Sequence, residues 1–292
     1  MQFLLLIGLI VLGFTLGRLG WLQQRQVGWG NKYIIYIALP VVALAKIPTL
    51  EVDPDLSLFV VTPITLFIGS LVMFQLIFRR FLEPDQRLVL SLTSGLGNTS
   101  FVGFPLIIYY FGSDYLPYGA LYDQTTFLLM ASFGQAMIVK REGLDGLVHT
   151  LKKVLTFPVF VVIVIAFMIP ADSFGEPVLL IFDWVIQSLT IVAMIIVGFL
   201  IAKYVTFPFP RLVWLGLGYK LILAPAIVFL VMKMINMSID LEQVNVMETA
   251  MAPQTSICLM LLEHEKLPSL VSQILCWGVV LSLGVSFLWM ML

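Results

Sequence analysis

A chain of 292 residues with 60% apolar residues, 11% charged residues and a mean hydropathy of +1.04 cannot present an ordinary water-facing surface. Its net charge of −1 says little for a bilayer protein and gives no ground to expect a nucleic-acid partner. The composition is that of an all-α polytopic membrane protein, in which each spanning helix needs roughly 20 apolar residues.

Charged and turn-forming breaks leave ten predicted spans. They fall at about Gln2 to Leu16, Asn31 to Ile47, Leu56 to Phe78, Arg87 to Phe111 and Tyr115 to Val139, then Val154 to Ile169, Val178 to Ile201, Arg211 to Ile235, Leu241 to Leu262 and Leu267 to Leu292. The first has no basic residue before it and no small-residue cleavage site after it, so it reads as a retained helix rather than a signal peptide. Pro40 and Pro63 in spans two and three read as kinks. Span four contains GLGNTSFVGFP, Gly95 to Pro105, where three glycines, a proline and an Asn-Thr-Ser triplet interrupt an apolar run. After span five comes the polar linker KREGLDGLVHTLKK, Lys140 to Lys153. Span nine contains Pro253, Gln254, Thr255 and Ser256, and Cys258 and Cys276 count as small apolar residues.

Alternate loops carry Arg18, Arg25 and Lys32; Arg79, Arg80 and Arg87; Lys140, Arg141, Lys152 and Lys153; Lys203 and Arg211; and Lys266. The opposite loops carry only Lys46 and Lys233. That bias predicts an inner membrane protein with the basic linker in the cytoplasm and both termini outside. Trp21, Trp29, Tyr33 and Trp214 then fall near the inner interface, and Tyr109, Tyr110, Tyr115 and Tyr118 near the outer one. His149 and His264 fall in loops.

The linker at 140–153 divides the chain into five-helix repeats at 1–139 and 154–292. Because five is odd, two similar halves in series must be inverted relative to each other. Asn98-Thr99-Ser100 and Gln254-Thr255-Ser256 stand 156 residues apart, and that single offset superposes the halves end to end.

Non-helical backbone at membrane depth is tolerated only where protein buries it or it lines a wet cavity. Two interrupted helices at matched depth in inverted halves therefore point to a transporter's binding site. Gly95 and Gly97 allow span four to open, Gly103 and Pro105 extend the break, and Asn98, Thr99 and Ser100 can cap a restarted helix. In span nine Pro253 ends the first half and Gln254, Thr255 and Ser256 begin the second. Each restarted half-helix offers free N–H groups and roughly half a positive charge, which favours an anion such as a carboxylate. The alternative for each motif is a kinked helix with Asn and Gln as interhelical glue.

Asp123, Lys220 and Glu248 also lie at depth, at ~12 Å from the outer face, ~13 Å from the inner face and ~10 Å from the outer face respectively, by helical rise. They read either as coupling groups and a counter-charge for the substrate, or as a static ion network.

The motif GLGNTSFVGFPL resembles the fourth-span motif of the auxin efflux carrier family, bacterial permeases included. The likeness extends to Leu39-Pro40, Tyr122-Asp123-Gln124 and Ala252-Pro253-Gln254. The resemblance implies a fold like that of bile acid sodium symporters, with spans one, two, six and seven as scaffold and spans three to five and eight to ten as a mobile core. It also implies elevator-type transport of organic anions and a homodimer joined through the scaffold. Asn98 and Gln254 match positions that contact the substrate carboxylate in the plant carriers. Ala250 stands where sodium-coupled relatives have a Glu, which favours a proton over sodium as coupling ion.

No nucleophile–base motif, metal cluster or acidic diphosphate motif points to an enzyme, and no cofactor or metal is expected. The leading expectation is a secondary transporter of small carboxylates. A sodium-coupled symporter of a bulkier amphipathic anion, or a membrane sensor using the same site, are the alternatives.

Overall fold

The computed structural model describes residues 2–50, 54–139, 158–170, 173–204, 210–235 and 237–292. The 140–153 linker, His149 with it, and the first residues of the sixth expected span lie outside them. We number the helical rods α1 (Gln2–Arg18), α2 (Gln24–Lys46), α3 (Leu56–Arg80), α4 (Pro84–Gly95), α5 (Thr99–Tyr110) and α6 (116–139). They continue as α7 (Pro158–Ala166), α8 (Glu176–Tyr204), α9 (Arg211–Met234), α10 (Ile239–Thr249), α11 (Thr255–Glu263) and α12 (Pro268–Trp289). Five of these, α2, α3, α8, α9 and α12, are long and apolar enough to cross a membrane unaided. Among the described residues there is no β-strand, only one isolated bridge.

Local chemistry explains where the rods start and bend. The second begins at Gln24 rather than Asn31, because the Gln26 side chain reaches back to the Gln23 N–H (2.8 Å) and closes a cap that lets polar turns join the helix. The Gln86 side chain does the same for the Glu83 N–H (3.1 Å) at the start of α4, with Pro84 in the first turn. Wide π-turns at Ile34–Ala38, Thr99–Gly103 and Tyr219–Leu223 come just before Pro40, Pro105 and Pro225. A proline cannot donate to the carbonyl four residues back, and a wider turn absorbs the missing bond without breaking the helix. At Pro225 the freed carbonyl is that of Leu221, and the Trp289 indole N–H donates to it at 3.1 Å.

The packing places α1 along α8, with the C-terminal half of α2 against α7 and α8. Separately, α3 packs on α4 and α6, α9 on α10, and α11 on α12, while α9 and α12 pack on α4. Hydroxyls stitch these helices together inside the apolar core. Ser70 donates to Ser91 O (2.9 Å), Ser94 to Gly216 O (3.0 Å) and Tyr219 to Leu66 O (2.7 Å). Apolar side chains such as Leu180, Ile181, Trp184 and Met168 remain exposed on α8 and just after α7, as lipid contact requires.

Candidate functional site

Two rods stop inside the core, and each supplies what the other lacks. α4 ends at Gly95, Leu96 turns to extended backbone (φ −115, ψ 125), and α5 starts at Thr99. α10 ends at Thr249, α11 starts at Thr255, and Pro253 forms an antiparallel bridge with Gly97 between the rods. Across the bridge the Asn98 N–H donates to Ala252 O (2.7 Å) and the Gln254 N–H donates to Leu96 O (3.0 Å). Backbone groups that would each cost several kcal/mol unpaired are thereby satisfied without water. The first half of the second break ends earlier than its proline, because Pro253 disfavours helical backbone at Ala252 and brings no N–H. Gly103 and Pro105 fall inside α5, beyond the gap, where the π-turn accommodates the proline.

The glycines of the first motif act through space rather than through rotation. Among the described glycines only Gly20 and Gly112 have positive φ, so Gly95 and Gly97 adopt backbone open to any residue. A Cβ at Gly97 would lie 2.9 Å from Lys220 Nζ, and one at Gly103 would collide with the Glu248 carboxyl. Close approach is what those positions require.

At the start of α5, Asn98 Oδ1 accepts from the Phe101 N–H (3.3 Å) as a helix cap. Its Nδ2 donates to Thr255 Oγ1 of α11 at 3.0 Å, so the two half-helix N-termini are one hydrogen bond apart. Gln254 caps nothing, and its Oε1 is buried with no partner, as is Oε1 of Gln124. Thr99 donates to Asp123 Oδ1 at 2.5 Å, while Gln124 Nε2 donates to Oδ2 at 3.2 Å. Ser100 also hydrogen-bonds Asp123.

Asn98, Ser100, Asp123, Gln124, Gln254, Thr255 and Ser256 line a cavity of about 30 Å³. That is room for a water or two, far less than an organic acid. The rest of the lining is apolar: Phe101 and Phe127, with Ile35 and Leu39 of α2. Pro253 is buried against Gly278 and does not line it.

Lys220 (2% exposed) and Glu248 (0% exposed) lie outside the cavity lining. The π-turn at Tyr219–Leu223 carries the Lys220 ammonium beside Gly97. There the negative ends of α4 and α10 converge, a favourable place for a cation. Glu248 rests against Gly103 and Gly119, and neither carboxylate oxygen has a hydrogen-bond partner. Among the described residues, ion pairs within 4.0 Å join Lys46 to Asp114, Lys233 to Glu242 and Lys266 to Asp85, and none joins Lys220 to Asp123 or Glu248. His264 ends α11 with its ring against Met260 O.

Of the residues expected to bind substrate, Asn98, Ser100, Gln254, Thr255 and Ser256 line this one cavity and Thr99 and Pro253 do not; of the three charged residues expected at depth, Asp123 alone joins them. The cavity also takes in Gln124, next to Asp123 in the Tyr122-Asp123-Gln124 stretch, and the apolar residues Ile35, Leu39, Phe101 and Phe127, none of them expected from the sequence. An apolar residue within an apolar span carries no chemical signal.

Broken helices that meet in a buried polar pocket among membrane-length apolar rods define a membrane transport protein. A family model described as membrane transport protein matches residues 1–169, and the chain belongs to that family, which is that of the auxin efflux carriers. An uncharacterized transporter of Methanothermobacter thermautotrophicus is 26% identical over 129 residues, 43% of this chain and 43% of that protein. The match thus spans less than half the length of that relative.

Proposed function

We propose that the chain is a secondary transporter of small organic anions, carboxylates foremost, bound where the gap between α4 and α5 crosses the gap between α10 and α11. The observation that carries this is the Asn98–Thr255 hydrogen bond, which brings two half-helix N-termini to one point. Each terminus presents roughly half a positive charge, so the pair opposes about one anionic charge. Gln254, with its amide oxygen free of partners, can turn its NH₂ group toward a carboxylate without breaking a bond at that oxygen, and Gln124 has a second N–H beyond the one it gives Asp123.

Asp123 lines the same cavity, and an ionised Asp beside a bound anion is repulsive. A proton taken up by Asp123 removes the repulsion, which makes a proton the coupling ion. In this reading the chain spans the membrane ten times as two inverted five-helix repeats, with α4–α5 and α10–α11 the broken spans and both termini extracytoplasmic in the cell membrane. Helices α1, α2, α7 and α8 form the scaffold and the homodimer contact, and the remaining rods form the mobile core. Sliding the core along the α2 wall opens the cavity to each side in turn, as in an elevator.

Proteoliposome uptake of labelled mono- and dicarboxylates tests the reading. Saturable uptake that rises with an inward proton gradient, ignores sodium, and is lost in the Asn98→Ala, Gln254→Ala double variant is the expected result. Sodium-dependent uptake, or full uptake by the double variant, would count against it.

A further inference from the structure

Away from the crossover, the corner where α1 ends, α2 begins and α8 ends carries cations without acids. A Cβ on Gly17 would lie 3.1 Å from Ala202 Cβ, and Lys203 Nζ donates to Gln24 Oε1 at 2.7 Å, so Arg18, Arg25 and Lys203 come to one place. Asp and Glu are absent from Met1 to Leu50 and from Trp184 to Ile239. The acids of α8, Glu176 and Asp183, lie toward its other end. Elsewhere basic residues are mixed with acids: Arg79, Arg80 and Arg87 flank Glu83 and Asp85, and Lys266 pairs with Asp85 at 2.9 Å.

Among the described residues, none of Arg18, Arg25, Lys32 and Lys203 forms an ion pair. Three of them rest on aromatic rings instead: Arg18 on Phe14 at 5.4 Å, Arg25 on Trp29 at 5.0 Å and Lys203 on Tyr204 at 5.1 Å. A ring holds a cation in place while leaving its N–H donors for an anionic oxygen. Trp29 and Lys32, four and seven residues beyond Arg25, share its face of α2, and both are exposed. Next to this face runs a groove of about 140 Å³, walled by Val27 and Gly30 of α2 and by Val192, Ile195 and Ile196 of α8. Ile195 stands eight residues before Lys203, so the groove lies ~12 Å deeper along α8 than the ammonium. Cations above and an apolar slot below match the two parts of a phospholipid. A second copy of the chain fits this corner less well, since a two-fold contact would set an equally basic face against it.

We propose that this corner binds an anionic phospholipid, its phosphate held by Arg25 and Lys203 with Arg18 beside them, and one acyl chain lying in the groove between α2 and α8. The site is separate from the crossover and does not depend on what is transported there. A zwitterionic lipid fills the same groove but adds a headgroup cation to a place that already has several, so the corner selects for negative charge.

Electron paramagnetic resonance of the full chain in phosphatidylcholine vesicles, with a trace of spin-labelled phosphatidylglycerol or spin-labelled phosphatidylcholine, reads how firmly each lipid is held at the protein. A several-fold preference for phosphatidylglycerol is expected, shrinking as salt screens the headgroup. Arg25→Gln with Lys203→Gln is expected to bring the two lipids to parity, whereas Arg79→Gln with Arg80→Gln, an equal loss of charge, keeps the preference. Arg25→Lys with Lys203→Arg keeps both charges and is expected to keep the preference, which guards against a misfolded variant. Val192→Phe, which fills the groove and leaves every charge in place, is expected to lower the amount of phosphatidylglycerol held. No preference in the unmodified protein, equal loss in the two Gln pairs, or an unchanged signal in Val192→Phe overturns the proposal. Parity between the lipids together with a disulfide between Trp29→Cys copies overturns it in favour of a second chain on this face.

Discussion

At the scale of single residues, Asn98 and Gln254 occupy matched places in the two breaks but do different work. Asn98 holds three partners together: its Oδ1 caps α5, its Nδ2 ties α5 to Thr255, and its backbone pairs with Ala252. Gln254 holds only the backbone bridge, with its Oε1 unpartnered. Replacing either by Ala is expected to weaken anion binding by ~1 to 3 kcal/mol, the scale of a hydrogen bond to a charged group. Stability separates them. Asn98→Ala also loses a cap, at about 1 kcal/mol, and its apparent melting temperature falls, whereas Gln254→Ala melts as the unmodified protein does. Isothermal titration with the best-transported carboxylate, alongside thermal unfolding in detergent, checks both statements. Equal binding in both variants and the unmodified protein would retire the crossover as the site.

At the scale of helices, the α1–α8 contact is set by two glycines. A Cβ on Gly13 would collide with the backbone carbonyl of Ile195, and one on Gly198 with that of Ile10. Backbone cannot rotate away as a side chain can, so Gly13→Ala or Gly198→Ala must push the helices apart. Overpacking of this kind costs typically ~1 to 3 kcal/mol. A lower unfolding temperature for both is expected, with Gly8→Ala and Gly218→Ala as neutral controls because nothing lies within 4 Å of a Cβ there. The existence of these helices was legible in the sequence, since apolar runs of membrane length admit few other structures. Their partners were not: that Gly13 meets Ile195 depends on packing between distant segments. The breaks show the same division. Gly97 and Pro253 announce an interruption locally, but the bridge between them joins residues far apart in the chain. The α2 start at Gln24 was hidden because its first turns are polar and owe their helicity to a Gln26 cap rather than to apolar periodicity. Likewise Asn98 and Gln254 stood out as amides at depth, while Ile35 and Leu39 looked like any other apolar residue of a span.

At the scale of the molecule, the proposed elevator requires the α2 wall to move relative to the rods that carry Asn98 and Gln254. Among the described residues one ion pair crosses that boundary, from Lys46 at the end of α2 to Asp114 just before α6, at 2.9 Å. A surface pair of this kind contributes about 0 to 1 kcal/mol, too little to hold the two parts together. A covalent tie in its place would hold them. Joining Lys46→Cys to Asp114→Cys with a short bifunctional thiol reagent is therefore expected to arrest uptake, and a reducible reagent should restore it on reduction. The pair Lys266 and Asp85, also 2.9 Å apart, lies wholly among the rods assigned to the moving part. Linking cysteines at 266 and 85 in the same way is expected to leave uptake intact. Cys258 and Cys276 are free but buried, so the reagent acts at the introduced thiols. Should the 46–114 link leave uptake unchanged, α2 and the crossover do not slide past each other. Access to the cavity would then have to come from local movement of Phe101 and Phe127 alone.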